Sequence, residues 1–272
     1  MIDFSIEFFP PSSPAMEDKL WRTYETLKKY NPSLISITYG ADGSTRDRTH
    51  DIVKKLIKEK KILVAPHLTC VGSTKQEISK ILSDYAKLGI LSVVALRGDK
   101  PKENNSLMDL RFATDLIEEI KKIQYYKNIF VAAYPEIHPE SKSIKEDIAV
   151  LKLKEELGAT HAITQFFFDN NFYYEYLNLC AQQNISIPII PGILPINNFE
   201  KVRTFAQKCN ASIPKSMKEA YKNISNHEDT LKLSLSLLVD QVEALKQYGV
   251  TNYHFYSLNQ SELLESLFKS FE

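Results

Sequence analysis

One glutamate interrupts the otherwise apolar run FSIEFFPP near the start of the chain, and this residue, Glu7, is the first candidate for chemistry. Desolvation opposes an ionised carboxylate. A carboxyl in such a setting therefore either caps a buried polar network or serves as an acid that keeps its proton until a substrate takes it. A second carboxylate, Asp99, follows Arg97 in LRGDKP, where the simplest reading is a salt-bridged strand end. If the two shared one pocket, their unlike surroundings would hold them in different protonation states, as an acid/base pair requires. His67 and His138 could join them around a metal, yet no HxH pair or HExxH appears, so the residues lack metal-binding spacing and no metal site is predicted. A Schiff-base mechanism would need a lysine inside a strand-like run, and none has one. The clusters at 166–168 and 172–174 are ordinarily core, although some of the 14 Phe and 14 Tyr could stack on a flat heterocycle.

These residues must be positioned by something, and the chain has a clear rhythm. Eight β-branched or aromatic runs recur: FSIEFF (4–9), LISITYG (34–40), ILVAPHLT (62–69), SVVALRGD (92–99), IFVAAYPE (129–136), HAITQFFF (161–168), IPIIPGIL (187–194) and NYHFYSLN (252–259). Between them lie amphipathic stretches such as MEDKLWRTYETLKKY, THDIVKKLIKEKK, TKQEISKILSDYAKLG and SIKEDIAVLKLKEELG. AKLGILSVV, EELGATHAI and KQYGVTNYH each put Gly just past a helical pattern and then open a strand, which predicts left-handed C-caps. Strand–helix alternation implies parallel pairing with right-handed crossovers. Eight strands in about 250 residues predict an α/β fold, a (β/α)8 TIM barrel, as a single domain over residues 1–272. The gap from 195 to 251 has room for two or three helices. An open doubly wound sheet would alternate in the same way, but it would carry a glycine-rich phosphate loop after its first strand; here that strand ends in FFPPSS, and none of the 8 glycines forms GxGxxG or GxxxxGK[ST].

In a barrel the chemistry sits at the C-terminal strand ends. That selects Glu7, Thr38, Tyr39, His67, Arg97, Asp99, Tyr134, Glu136, His138, Gln165, Tyr256 and Asn259 as residues converging on one mouth. Composition narrows the partners. Lys plus Arg (34) equals Asp plus Glu (34), so the broad basic field of a nucleic-acid binder is missing and small-molecule partners are expected. No apolar run reaches the ~20 residues of a spanning helix, so no membrane partner is expected. Cys70, Cys180 and Cys209 are too widely spaced for a disulfide framework or a zinc site, and the N-terminus has no secretory pattern; a cytoplasmic protein is expected.

The motifs then point to one family. EFFPP, SITYGA followed by RDRTH, APHLTC, ALRGD, AAYPEIHPE, ITQFFFD, IIPGILP and HFYSLN, in that order, closely resemble the methylenetetrahydrofolate reductases, and the likeness runs from Glu7 to Asn259. It resembles the bacterial form, a catalytic barrel alone. The resemblance implies an FAD enzyme that takes hydride from NADH or NADPH and gives it to 5,10-methylenetetrahydrofolate in ping-pong fashion. The product is 5-methyltetrahydrofolate, a methyl source for methionine synthesis. By motif, Glu7 resembles the acid that protonates folate N10, and Asp99 the carboxylate near the flavin and pterin. Gln165 resembles the pterin's amide partner and Phe205 the ring that stacks on either substrate, with Tyr256 and Leu258 completing the wall. The implied FAD contacts are Thr38, Tyr39, His67, Leu96, Arg97, Gly98, Asp99, Ala113, Ala132, Tyr134, His138, Asp147 and Lys154. Four positions depart from the family pattern. Val150 and Leu153 stand where Asn and Arg are familiar, Gln260 stands where LNR has its arginine facing the folate's anionic tail, and Phe112 replaces Tyr. Two other readings are a flavin-free reductase of the same barrel type and a folate- or flavin-binding barrel without turnover. A homo-oligomer is expected.

Overall fold

The computed structural model describes residues 2–39, 43–58, 62–99, 109–222, 224 and 226–271. Among them, strands β1 (Asp3–Phe8), β2 (Leu34–Ile37), β3 (Leu63–Thr69), β4 (Ser92–Leu96), β5 (Asn128–Ala133), β6 (His161–Thr164), β7 (Ile189–Ile190), β8 (Gly192–Ile193) and β9 (Asn252–Tyr256) form one sheet. All its pairings are parallel, in the order β7-β6-β5-β4-β3-β2-β1-β9-β8. The two ends of that order adjoin in sequence. Pro191 sits between β7 and β8, and its carbonyl accepts from His254 N–H (3.0 Å), while Pro188 O accepts from Ala162 N–H (2.8 Å). The predicted seventh run, 187–194, thus closes a barrel. It splits in two because proline has no N–H for the ladder.

Helices α1 (Pro14–Leu27), α2 (Gly43–Ile57), α3 (Lys75–Lys87), α4 (Ala113–Ile123), α5 (Ile144–Glu156), α6 (Asn170–Gln182), α7 (Phe199–Cys209), α8 (Lys215–Lys222), α9 (His227–Gln247) and α10 (Glu262–Ser270) surround it. The gap before the last strand holds three of them, α7, α8 and α9. Helix starts are chemically marked: Thr74 and Glu77 form a reciprocal capping box on α3, and Ser143 caps α5. The three predicted glycine stops share one geometry. Gly89, Gly158 and Gly249 all have positive φ, and after each the N–H of the next residue reaches back to the helix, as in Ile90 to Tyr85 O (3.1 Å) and Val250 to Leu245 O (3.0 Å). This is the Schellman arrangement, which satisfies the last carbonyls before the chain enters a strand.

Several expected strands end early. The runs to 99, 136, 168 and 259 leave the ladder at Leu96, Ala133, Thr164 and Tyr256. Gly98 (φ 89), Leu258 (φ 49) and Asn259 (φ 53) turn the backbone out of the β region, and Pro135 removes a donor. The residues singled out at 97–99, 134–138, 165 and 258–260 lie on loops above the strands. Gly40, the end of the second run, and residues 59–61, the end of the second helical stretch, lie outside the described residues.

Outward strand residues such as Phe4, Ile6, Phe8, Tyr253 and Phe255 pack under α1, α9 and α10, while Val93, Ile129 and Val131 pack under α3, α4 and α5. The inward face mixes two kinds of residue. Leu34, Ala65, Val94, Phe130, Ile163 and Ile190 form an apolar interior cluster. On the β9-β1-β2-β3 side the register instead puts Ser5 beside His254, Glu7 beside Tyr256 and Ser36, and Ser36 beside Ala65, two residues before His67.

Gly249 has φ 104 and open space where a Cβ would go, so its cap conformation alone excludes other residues. Gly249→Ala is expected to lower unfolding free energy by about 1–2 kcal/mol in urea titration, with an unchanged m-value.

Candidate active site

Glu7 lies inside the barrel, 6% exposed, on the last ladder-bonded turns of β1. Its Oε2 is 3.3 Å from His67 Nε2 and 3.6 Å from His254 Nε2, two buried imidazole nitrogens that make no hydrogen bond. Burial keeps His67 neutral, pulling its pKa down to about 4 against the opposing pull of Glu7. The backbone around the carboxyl is clasped by the SLN motif. Ser257 Oγ donates to Glu7 O (2.6 Å), and the Asn259 amide both accepts from Phe9 N–H and donates to Phe9 O, each at 2.9 Å. That clasp explains why Leu258 and Asn259 tolerate left-handed backbone, a conformation that costs a β-carbon residue roughly 1–2 kcal/mol. Asn259 thus has a structural role.

Tyr256 extends over the same face, its hydroxyl donating to Thr164 O (2.6 Å). Its ring lies against Gly192, where a Cβ would come within 2.2 Å of Thr164 O and 2.6 Å of Tyr256 Cε2. Only glycine fits under that ring. Burial raises the Tyr256 phenol well above its ordinary range, so it stays a neutral donor.

Beside this interior, at the ends of β3 to β5, opens a cavity of about 1230 Å³. Of the residues tied to a cofactor by resemblance, Tyr39, Leu96, Arg97, Gly98, Asp99, Ala113, Ala132, Tyr134, His138, Asp147 and Lys154 line it. Thr38 and His67 do not; His67 faces Glu7 instead, and Thr38 O accepts from Thr49. Phe112, Val150 and Leu153, three of the family departures, also line the cavity, as large exposed apolar side chains.

The cavity's charges are arranged differently from the simplest sequence reading. Arg97 forms a two-point pair with Glu140 (2.7 and 2.9 Å) rather than with Asp99, which is left exposed at the rim. Asp147 accepts from Ser141 Oγ (2.5 Å) and His138 N–H (2.9 Å). Lys154 is buried, and its Nζ donates to Ala132 O (2.9 Å). Burial pulls its pKa down to about 8, with Asp147 opposing. Tyr39 carries a buried hydroxyl that makes no hydrogen bond. Gln165 accepts from Phe166 N–H (3.0 Å) through its side-chain carbonyl. Phe205, on α7, is 38% exposed and stacks on Phe166 at 5.2 Å, with Phe166 edge-on to Tyr256 at 6.3 Å. Leu258 and Gln260 are partly exposed on the loop after β9. Among the described residues no three His, Cys, Asp or Glu side chains converge as a metal ion needs.

The model of the methylenetetrahydrofolate reductase family matches residues 1–272. This chain belongs to that family. Similar methylenetetrahydrofolate reductases include the 5,10-methylenetetrahydrofolate reductase of Escherichia coli K12, 41% identical over 263 residues that cover 96% of this chain and 88% of the relative. The methylenetetrahydrofolate reductase (NADH) 1 of Arabidopsis thaliana is 32% identical, covering 94% of this chain but 46% of the plant protein. A Clostridium thermocellum protein described as binding two copies of 5-methyl-5,6,7,8-tetrahydrofolic acid shares the fold, with a TM-score of 0.69, 16% identity and coverage of 99% of this chain and 94% of that one.

Two features of this methylenetetrahydrofolate reductase site escaped sequence reasoning. His254, not among the residues singled out, is bonded to Ser5 and also faces Glu7. It lies two residues before Tyr256, hence on the same face, but its approach to Glu7 follows from the pairing of the first strand with the last. Glu140 lies outside every strand-like run, so its pairing with Arg97 had no local signal.

Lys154 holds a charge in a cavity where the protein provides one carbonyl, at a cost on the order of 3 kcal/mol for the charged form. Between about 8 and its ordinary 10.5 the unfolded chain binds a proton there that the folded chain does not, so the empty protein should gain stability as pH rises through this window. Lys154→Met is expected to stabilise the ligand-free protein at neutral pH and to flatten that rise, as measured by thermal unfolding of both proteins across the window.

Proposed function

We propose that this chain reduces 5,10-methylenetetrahydrofolate to 5-methyltetrahydrofolate, with FAD in the large cavity and NADH or NADPH as hydride source, supplying methyl groups for methionine synthesis. The observation that carries the reading is a carboxyl buried in the barrel interior, next to a dinucleotide-sized cavity at the strand ends. A volume of about 1230 Å³ exceeds the roughly 300–1,000 Å³ of an ordinary ligand pocket.

The residues present suit FAD. Buried Lys154 offers a cation to a phosphate, the Tyr39 hydroxyl lacks a partner, and Gly98 lines the cavity where a Cβ would press on Thr69 Cβ at 2.9 Å, so only glycine fits there. When bound, FAD supplies a two-electron carrier that lets nicotinamide and folate react in turn. Val150 and Leu153 give the rim apolar contact in place of the familiar polar side chains.

The chain's own part is proton transfer and positioning. Glu7 donates its proton to N10; the bond between N10 and the methylene carbon breaks with its electron pair going to N10, leaving an electrophilic iminium at N5. The carbon then takes hydride and becomes the methyl group. The Tyr256 ring, its hydroxyl committed to Thr164, and Phe205 against Phe166 provide flat surfaces for the reacting rings. Gln165, its carbonyl engaged by Phe166, has its amino end for a pterin acceptor. Asp99 keeps negative charge at the rim, where it disfavours further negative charge nearby. The reading extends to a single catalytic unit over residues 1–272, working as a cytoplasmic homo-oligomer. The free thiols of Cys70, Cys180 and Cys209 suit a reducing compartment.

An absorbance spectrum separates this reading from a flavin-free reductase, because the purified protein should be yellow. Glu7→Gln is expected to reduce folate turnover at least a hundredfold while flavin reduction by nicotinamide persists; equal loss of both half-reactions would make Glu7 structural. Asp99→Asn is expected to raise the flavin midpoint potential, measured by anaerobic titration, and an unchanged potential in a protein that still holds FAD would place Asp99 away from the flavin.

A further inference from the structure

We propose that Glu136 is a positioning residue: with Ser212 it straps the end of α7 to the loop after β5 and so sets where Phe205 meets the substrate. This inference rests on the reading of Phe205 as the stacking ring.

Helix α7 lies against the barrel on an apolar face. Val202 and Ala206 are buried in a cluster with Phe166, Leu194 and Ile196, and Phe205 stacks on Phe166 at 5.2 Å. Apolar contact is non-directional, so it presses the helix onto the barrel without fixing how it slides or rolls. Direction comes from hydrogen bonds. Among the described residues, those that join 198–213 to other parts of the chain all go to two neighbours on one loop. Ser212 N–H donates to Glu136 Oε2 (2.9 Å), the Ser212 hydroxyl donates to the same oxygen, and Asn210 Nδ2 donates to Ile137 O (2.8 Å). Asn210 is also the C-cap of α7, left-handed at φ 55, so the strap begins where the helix ends.

The loop is the fixed side of this connection. His138 N–H donates to Asp147 Oδ2 on α5 (2.9 Å) and Ser141 N–H to His138 O (2.9 Å), so the loop is held without help from α7. Glu136 Oε1 is buried with no partner, and burial pushes the carboxyl's pKa up, with Ser212 opposing. A buried oxygen without a donor costs free energy, so stability alone does not account for a glutamate here. What the strap does fix is the end of α7 that carries Phe205, 38% exposed and linked through Phe166 to Tyr256. A ring contact made alike before and during reaction changes affinity, not the rate of the bound complex.

The test uses the flavin-loaded enzyme in stopped flow, each half-reaction being followed by flavin absorbance. Glu136→Ala is expected to raise the Kd of NADH and of methylenetetrahydrofolate about threefold to fivefold each, with limiting rates within about twofold. Glu136→Gln keeps an acceptor for Ser212 and should restore both constants. Phe205→Ala should raise them too, and Glu136→Ala should add nothing in that background. Additive effects would overturn the proposal, because the carboxyl would then act by another route. FAD affinity should be the same in Glu136→Ala as in the unmodified enzyme; its loss would also overturn the proposal, since the strap would then serve the cofactor loop. If Glu136→Ala does not fold, Asn210→Gly cuts the other thread at an exposed position while keeping the left-handed turn, and it carries the same expectations. If Phe205→Ala leaves both constants unchanged, the reading of Phe205 as the stacking ring fails and the role of the strap falls with it.

Discussion

A carboxyl group inside a closed parallel barrel is the constraint around which the rest of this structure is arranged. Among the ion pairs of the described residues, Glu7 has two imidazoles near it and no lysine or arginine. A bare charge there would be costly, so the surroundings must supply hydrogen bonds, fix the backbone and leave a route to the mouth. The SLN clasp meets the second need by tying the loop after β9 to Glu7 and Phe9. The glycine at 192 meets the third by letting a tyrosine ring lie flat across the interior.

The same constraint accounts for how polar and apolar residues share the barrel interior. Polar side chains on the β9-β1-β2-β3 side need defined partners, and each loses its meaning if the register shifts by one residue. The apolar cluster from Leu34 through Ile190, which shares β2 and β3 with them, is held by contact, where volume and shape matter more than direction. These apolar positions can therefore drift among aliphatic residues of similar size without touching the chemistry. The polar ones cannot.

Much of this was legible in the sequence because its signals are local. β-branched runs, helical periodicity and glycines before strands mark elements within a few residues, and they recovered the barrel, the three helices before the last strand and the three helix stops. The residues of the large cavity were legible through their motifs, which sit at strand ends. What was not legible depends on closure. The meeting of Ser5, Glu7, His67 and His254 follows from pairing residues about 250 positions apart, and nothing near His254 announces it. The choice of Glu140 over Asp99 by Arg97 depends on where a loop returns. Strand ends were overextended because β-branched and aromatic runs read as strand from composition, whereas the ladder stops where the neighbouring strand stops and, at Gly98 and Leu258, where the backbone turns left-handed.

Pro191 is the stitch that joins the two edges of the sheet. β7 belongs to the β6 side and β8 to the β9 side, and between them the ladder has a position that cannot donate. Continuity at that point is carried by the peptide chain. A break or a flexible insertion there would leave two short strands on separate rims, each with unpaired backbone groups. The ring would then be an open ribbon with free margins, able to recruit another copy edge to edge. Every other seam of this barrel has a hydrogen-bonded ladder to hold it after the chain is cut nearby, which makes this short stretch the place where a topological change would turn a closed barrel into a self-associating ribbon.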